Sequence, residues 1–281
     1  MFSNSFKTAI LIFGLIALFT YIGGLIGNEQ GALIGLGAAG IMSFVSYWFS
    51  DKMVLSAYKG QQINQNDCPE LYNIIKKLAQ RADLPMPKVY IIPEAQPNAF
   101  ATGRNPQNAA VACTAGLLKL MDENELAGVL GHELGHIKHR DILISTIAAT
   151  FAGAVTNISR LFGSSSSSNG YAQRNTRAPL AILLAPIVAI IMQMSISRKR
   201  EYMADKAGAE FSGNPLYLRD ALQKLESYSR SIPMQNTSKP ATAHMFIVNP
   251  FSGISGLSHL FSTHPKTSDR IRELEKMAAS R

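Results

Sequence analysis

The sequence predicts a mainly α-helical membrane protein, with about four transmembrane helices and a cytosolic α+β domain built around a small β-sheet. Three observations lead there: four long stretches without a charged residue, a short strand-rich region between them, and polar segments with helical periodicity. The 281 residues are 47% hydrophobic but only 16% charged, short of the usual quarter for soluble domains. The shortfall is concentrated from Thr8 to Asn28, Gln30 to Ser50, Ile142 to Ser159 and Ala178 to Ser197. Each approaches or exceeds the ~20 residues that cross a bilayer core.

The first segment follows Lys7 and has the flank of a signal peptide. No small-x-small cleavage site closes it, however, and a second span begins almost at once, so it reads as a retained anchor. The third segment contains Ser145, Thr146, Thr150, Thr156 and Asn157, which leaves a buried soluble helix as its second reading. Basic residues set the orientation. Lys7 precedes the first span, and Asn28-Glu29-Gln30 between the first two carries no positive charge. Lys52 and Lys59 follow the second span, Lys138 and Arg140 precede the third, and Arg198-Lys199-Arg200 follow the fourth. Both termini and most of the polar chain are therefore expected in the cytoplasm. Arg174, within the loop from Arg160 to Arg177, pulls the other way.

Net charge is +8. No basic patch interleaved with aromatics accompanies it, so nucleic acid is not an expected partner. Anionic lipid explains the juxtamembrane clusters more simply. Cys68 and Cys113 fall in the cytoplasmic part, where thiols stay reduced, and neither has metal-ligand spacing.

Four regions follow: an N-terminal transmembrane hairpin (1–51), a first polar part (52–141), a second hairpin with a Ser-rich loop (142–197), and a second polar part (198–281). Within the first polar part, Asp67-Cys68-Pro69-Glu70 opens a helix that runs to about Arg81, burying Leu71, Ile74, Ile75 and Leu78. Lys88 to Ile92 is β-branched and aromatic and reads as a strand, as do Asn98 to Thr102 and Ala109 to Cys113 around the turn Gly103-Arg104-Asn105-Pro106. Ser164 to Ser168 is low-complexity. Helices are expected from Arg198 through Phe211, Pro215 to Arg230 and Pro265 to Ala278, with no firm structure from Gln235 to Gly256.

Between strands and third span lies Gly131-His132-Glu133-Leu134-Gly135-His136. Residues at i and i+4 share a helix face, so His132 and His136 can reach one metal ion. Glu133 then stands beside the ion as a general base toward water. The helix is legible. Asp122 to Glu125 supplies a cap and first-turn negative charge, Leu126, Val129, Leu130, Leu134 and Ile137 form an apolar stripe, and Lys138-His139-Arg140 ends it. Gly131 and Gly135 cost helix propensity. They suit close approach of a substrate or another backbone, and a helix–helix contact equally well.

With Glu201-Tyr202-Met203-Ala204-Asp205, Pro97 to Gly103 and Ser262-Thr263-His264-Pro265, this motif makes the chain resemble the HtpX-type membrane zinc metalloproteases, gluzincins related to the CAAX prenyl proteases. The resemblance implies a zincin-like metalloprotease domain holding one zinc ion per chain, with His132, His136 and Glu201 as ligands and Glu133 as catalytic base. It implies that Asp205 orients a ligating histidine through its second nitrogen. It also implies that Asn98 helps align substrate on an edge strand, and that His264 stabilises the developing oxyanion. From the residues alone, Asn98 reads equally as a turn residue after Pro97, and His264 as a capping or surface histidine. His139, His244 and His259 show no ligand pattern.

Only five residues separate His136 from the third span and three separate Ser197 from Glu201. The site is therefore expected within about 10 Å of the cytoplasmic membrane surface. The expected function is zinc-dependent endopeptidase activity at a bacterial inner membrane, on misfolded or surplus membrane proteins and other unfolded polypeptides. A CAAX-type processing peptidase and a non-enzymatic zinc-binding scaffold are the alternatives. Intact Glu133 disfavours the scaffold, because a structural site needs no general base.

Overall fold

The computed structural model describes residues 4–147, 198–231 and 265–280. The fourth predicted span, most of the third, the Ser-rich loop, the stretch from Gln235 to Gly256 and His264 lie outside the described residues.

Helix α1 (Asn4–Ala57) folds back on itself at Gly27 and Asn28, the latter at φ 51. Its two arms, Thr8–Leu25 and Gly27–Phe49, are long and apolar enough to cross a membrane. Small residues let the arms touch. A Cβ on Gly23 would lie 2.2 Å from the Gly31 carbonyl oxygen, and one on Gly35 would lie 2.3 Å from that of Phe19. Backbones this close gain dispersion contacts without needing water exclusion, which suits a lipid setting. Phe13, Leu33, Ile34 and Ile41 are each about 70% exposed, an apolar surface that a soluble protein would bury. Residues 142–147 are helical. Their Ile144 and Ile147 pack against Leu11 and Leu15 of the first arm, so the chain leaving the polar domain returns directly to the hairpin.

The polar domain is built on a four-stranded sheet in the order β1-β2-β4-β3, from β1 (Gln61–Ile63), β2 (Lys88–Ile92), β3 (Ala99–Gly103) and β4 (Ala109–Thr114). β2 and β4 are parallel, and the outer pairings are antiparallel. Side chains alternate across the sheet. Val89, Ala99, Ala101, Val111 and Cys113 face the main core, while Ile92, Phe100, Ala110 and Ala112 face Val54, Leu55 and Tyr58 at the end of α1. Both faces are thus covered, which explains why these strands read as continuous apolar runs. β3 is an edge strand with no neighbour beyond it among the described residues.

The main core is closed by α2 (Pro69–Arg81), the short α3 (Ala115–Leu120), α4 (Glu123–Lys138), α5 (Arg198–Ser212), α6 (Pro215–Ser231) and α7 (Thr267–Ala279). α4 opens with a full capping box: the Asp122 side chain accepts from the Glu125 N–H, and the Glu125 side chain accepts from the Asp122 N–H. Its expected stripe of Leu126, Val129, Leu130, Leu134 and Ile137 is buried.

Three details depart from the sequence reading. The α2 N-cap is Cys68 without a side-chain cap bond, because Asp67 instead accepts from the Asn64 N–H across a tight turn. The second strand begins at Ala99 rather than Asn98, although the Asn98 carbonyl already accepts from Thr114 N–H. β1 and α3 were not anticipated, being three and six residues long; neither can show a periodicity. Cys68 and Cys113 are free thiols, and burial raises the pKa of Cys113 well above the usual range.

Candidate metal centre

Two helices build the site. α4 presents His132, Glu133 and His136, and α5 presents Glu201 and Asp205 one turn apart. They approach closely because glycines line the crossing. A Cβ on Gly208 would lie 2.8 Å from the His132 backbone nitrogen, and one on Gly135 would lie 3.0 Å from the Ala204 Cα. Of the two uses open for Gly131 and Gly135, the structure shows the helix–helix contact.

That crossing brings three donor atoms together. His132 Nε2 and His136 Nε2 are 3.1 Å apart. Glu201 Oε2 lies 3.8 Å from the first, and its Oε1 lies 3.6 Å from the second. Each imidazole is held from behind by a carboxylate. Asp205 Oδ1 is 2.9 Å from His132 Nδ1, and both Asp141 oxygens are 3.2 Å from His136 Nδ1. These carboxylates assign the ring proton to each Nδ1, which turns both Nε2 lone pairs toward one another and toward Glu201. Three converging acceptors in a buried site call for positive charge between them. At metal–ligand distances of ~2.0–2.2 Å, neighbouring ligands of a tetrahedral ion sit about 3.3–3.6 Å apart, which the observed spacings bracket. His132, His136 and Glu201 therefore fit a bound metal ion.

Electrostatics agree with that reading. Burial opposes charge on His136, yet Asp141, Glu201 and Glu133 push its pKa up to about 10, so the cluster favours positive charge at this point. Burial would raise the pKa of Asp205, but Arg270 and His132 hold it below the usual carboxylate value. Glu133 is pushed above the ordinary value by burial, against the pull of both histidines. Its Oε2 accepts the Ala101 N–H of edge strand β3 at 2.9 Å, which fixes the carboxylate between the strand and the histidines.

Two contributors were not singled out from the sequence. Asp141 follows Arg140, whose positive φ of 56° turns the chain back beneath His136; in the sequence it looks like one more juxtamembrane charge. Arg270 is 1% exposed on α7 and grips Asp205 with Nε and Nη2 at 2.9 and 2.6 Å. Its helix is rich in charge and reads as solvated. The usable signal was that Arg270 shares a face with Leu274, four residues on, and Leu274 is fully buried.

Asn98 stands immediately before β3, clasped to Thr114 by its backbone N–H at 2.8 Å and its carbonyl at 2.9 Å. Its Oδ1 is buried and has no hydrogen-bond partner among the described residues. Since Asn98 pairs with Thr114 in an antiparallel ladder, the backbone groups of Ala99 and Ala101 point away from β4, to the edge that has no strand beyond it among the described residues; there the Ala101 N–H meets Glu133.

Residues 65–278 match peptidase family M48. A protein named Protease HtpX homolog from Methylibium petroleiphilum is 51% identical over 282 residues, covering 99% of each chain. A protein of the same name from Campylobacter curvus is 52% identical over 97% of this chain and 96% of its own. The crystal structure of S. mikatae Ste24p superposes with a TM-score of 0.51 at 20% identity, over 96% of this chain. The chain spans 64% of that protein's length, and the likeness is one of fold.

Proposed function

The chain belongs to peptidase family M48 and is a membrane metalloprotease, and on that footing we propose a zinc-dependent endopeptidase at the cytoplasmic face of a bacterial inner membrane. Its proposed substrates are misfolded or surplus membrane proteins and other unfolded polypeptides. The observation that carries the reading is the convergence of His132, His136 and Glu201 with Glu133 alongside. Nitrogen and carboxylate donors in a tetrahedral spacing suit zinc.

In the proposed division of labour His132, His136 and Glu201 hold the ion, while Asp205 and Asp141 fix the tautomer of each histidine. When bound, zinc acidifies water and polarises the scissile carbonyl. Glu133 takes the proton from the attacking water and delivers it to the leaving nitrogen. Its raised pKa fits a carboxyl that must both accept and release a proton. An extended substrate pairs with the edge of β3 through the backbone of Ala99 and the carbonyl of Ala101, whose N–H is held by Glu133, and Asn98 offers its amide beside that edge. His264 is proposed to stabilise the oxyanion.

The proposed topology has four spans, with both termini in the cytoplasm. The boundaries are those of the sequence reading: hairpins over 1–51 and 142–197, polar parts over 52–141 and 198–281. Packing of Ile144 and Ile147 against Leu11 and Leu15 supports a third span beside the first. The test is cleavage of an unfolded membrane protein by detergent-purified enzyme. Activity lost on chelation and restored by zinc supports the reading, and cleavage indifferent to chelator refutes it.

A further inference from the structure

A cleft of about 340 Å³ opens where the second arm of α1 meets the sheet, at the lower end of the roughly 300–1,000 Å³ of small-ligand sites. Trp48, Lys52, Lys88, Arg104 and Asp51 line it. From Gly27 to Trp48 the arm rises about 32 Å, close to the ~30 Å of a bilayer's hydrocarbon core. Trp48 therefore sits at headgroup depth, where tryptophan is favoured. The Arg104 guanidinium lies over its ring, 4.5 Å from the centroid. Its Nη1 also reaches the Trp48 carbonyl at 3.5 Å, and the remaining N–H groups of the guanidinium are available to an oxyanion. Lys52 lies 5.7 Å from the Phe49 ring, and Lys88 is the first residue of β2, exposed at the sheet's end. Three cations face one carboxylate, Asp51, and none of the three makes an ion pair among the described residues.

We infer that this cleft binds the phosphate of an anionic phospholipid headgroup. Arg104 and Lys88 grip the phosphate from the polar domain, Lys52 approaches it from the helix, and Trp48 packs beside the glycerol. The site rests on the hairpin crossing the membrane and is independent of peptidase chemistry. Its consequence is mechanical. Arg104 directly follows β3, whose Ala101 holds Glu133, so a bound headgroup pins the substrate edge to the bilayer surface.

Trp48 is the one tryptophan in the chain, so its fluorescence reports on this cleft alone. The full-length protein is placed in phosphatidylcholine nanodiscs carrying a minor fraction of brominated phosphatidylglycerol or, in parallel, brominated phosphatidylcholine. Stronger quenching by the anionic lipid is expected. Replacing Lys52→Gln and Lys88→Gln together is expected to cut that preference about thirtyfold, roughly fivefold per cation. Lys52→Arg with Lys88→Arg is expected to keep it, which separates charge from misfolding. Equal quenching by both lipids, or an undiminished preference in the double glutamine variant, overturns the proposal. Relief of quenching by soluble glycerol phosphate also overturns it, by showing a site for free phosphate rather than lipid.

Discussion

Arg270 and Asp205 meet in a two-pronged contact, Nε to Oδ2 at 2.9 Å and Nη2 to Oδ1 at 2.6 Å, with both side chains essentially fully buried. The same Asp205 oxygen that receives Nη2 also faces His132 Nδ1 at 2.9 Å. A chain of charge thus runs from the C-terminal helix to the first histidine.

Breaking that chain has a measurable cost. Arg270→Ala leaves Asp205 buried with His132 but without its cationic partner, which costs about 3–5 kcal/mol of stability. Arg270→Lys keeps the charge but loses the planar fork, and zinc affinity is expected to fall about 10–100-fold. Zinc competition against a chromophoric chelator checks it; wild-type affinity in Arg270→Lys would count against a positioning role.

Asp141 makes a parallel case for the second histidine. Asp141→Asn removes the carboxylate that holds His136 Nδ1, and a similar 10–100-fold loss of zinc affinity is expected. Loss of activity at saturating zinc should be small by comparison. If affinity is unchanged and only turnover falls, the residue acts elsewhere.

Gly208→Ala tests the helix crossing. In an exposed helix this change gains up to about 1 kcal/mol. Here the new Cβ would lie 2.8 Å from the His132 backbone nitrogen, and backbone cannot yield as a side-chain tip can. Overpacking of this kind costs about 1–3 kcal/mol, so the net effect is destabilising and displaces Glu201 from the histidines. Calorimetry together with zinc content checks it, and a stabilised variant with full zinc would contradict the packing argument.

Metal removal should destabilise the fold as well as silence it. Without zinc, the cluster of His132, His136 and Glu201 must take up a proton to place positive charge at its centre, which replaces three metal bonds with weaker contacts. At a hundredfold excess over Kd, bound zinc stabilises by about 2.7 kcal/mol. Thermal unfolding with and without chelator is expected to differ accordingly and to depend on zinc concentration. Identical unfolding curves would argue against a folded-state metal site.

What the sequence reveals is governed by range. His132, Glu133 and His136 are legible because the i, i+4 relation is a property of one helix. The strands are legible because Val89 to Ile92 and Ala109 to Cys113 are apolar on both faces, one against the helices and one against the end of α1. Glu201 lies 65 residues beyond His136, and only the family resemblance singled it out. Asp141 and Arg270 are not legible in the sequence because their partners are set by a chain reversal at Arg140 and by packing of α7, neither of which has a local signature.

The most direct measurement is zinc content and peptide cleavage on the same purified Glu133→Gln sample. Glu133 contacts Ala101 N–H rather than the three donors, so one zinc per chain is expected to remain while cleavage falls to near background. Cleavage at the wild-type rate with zinc in place would contradict the division between residues that hold the metal and the residue that moves the proton.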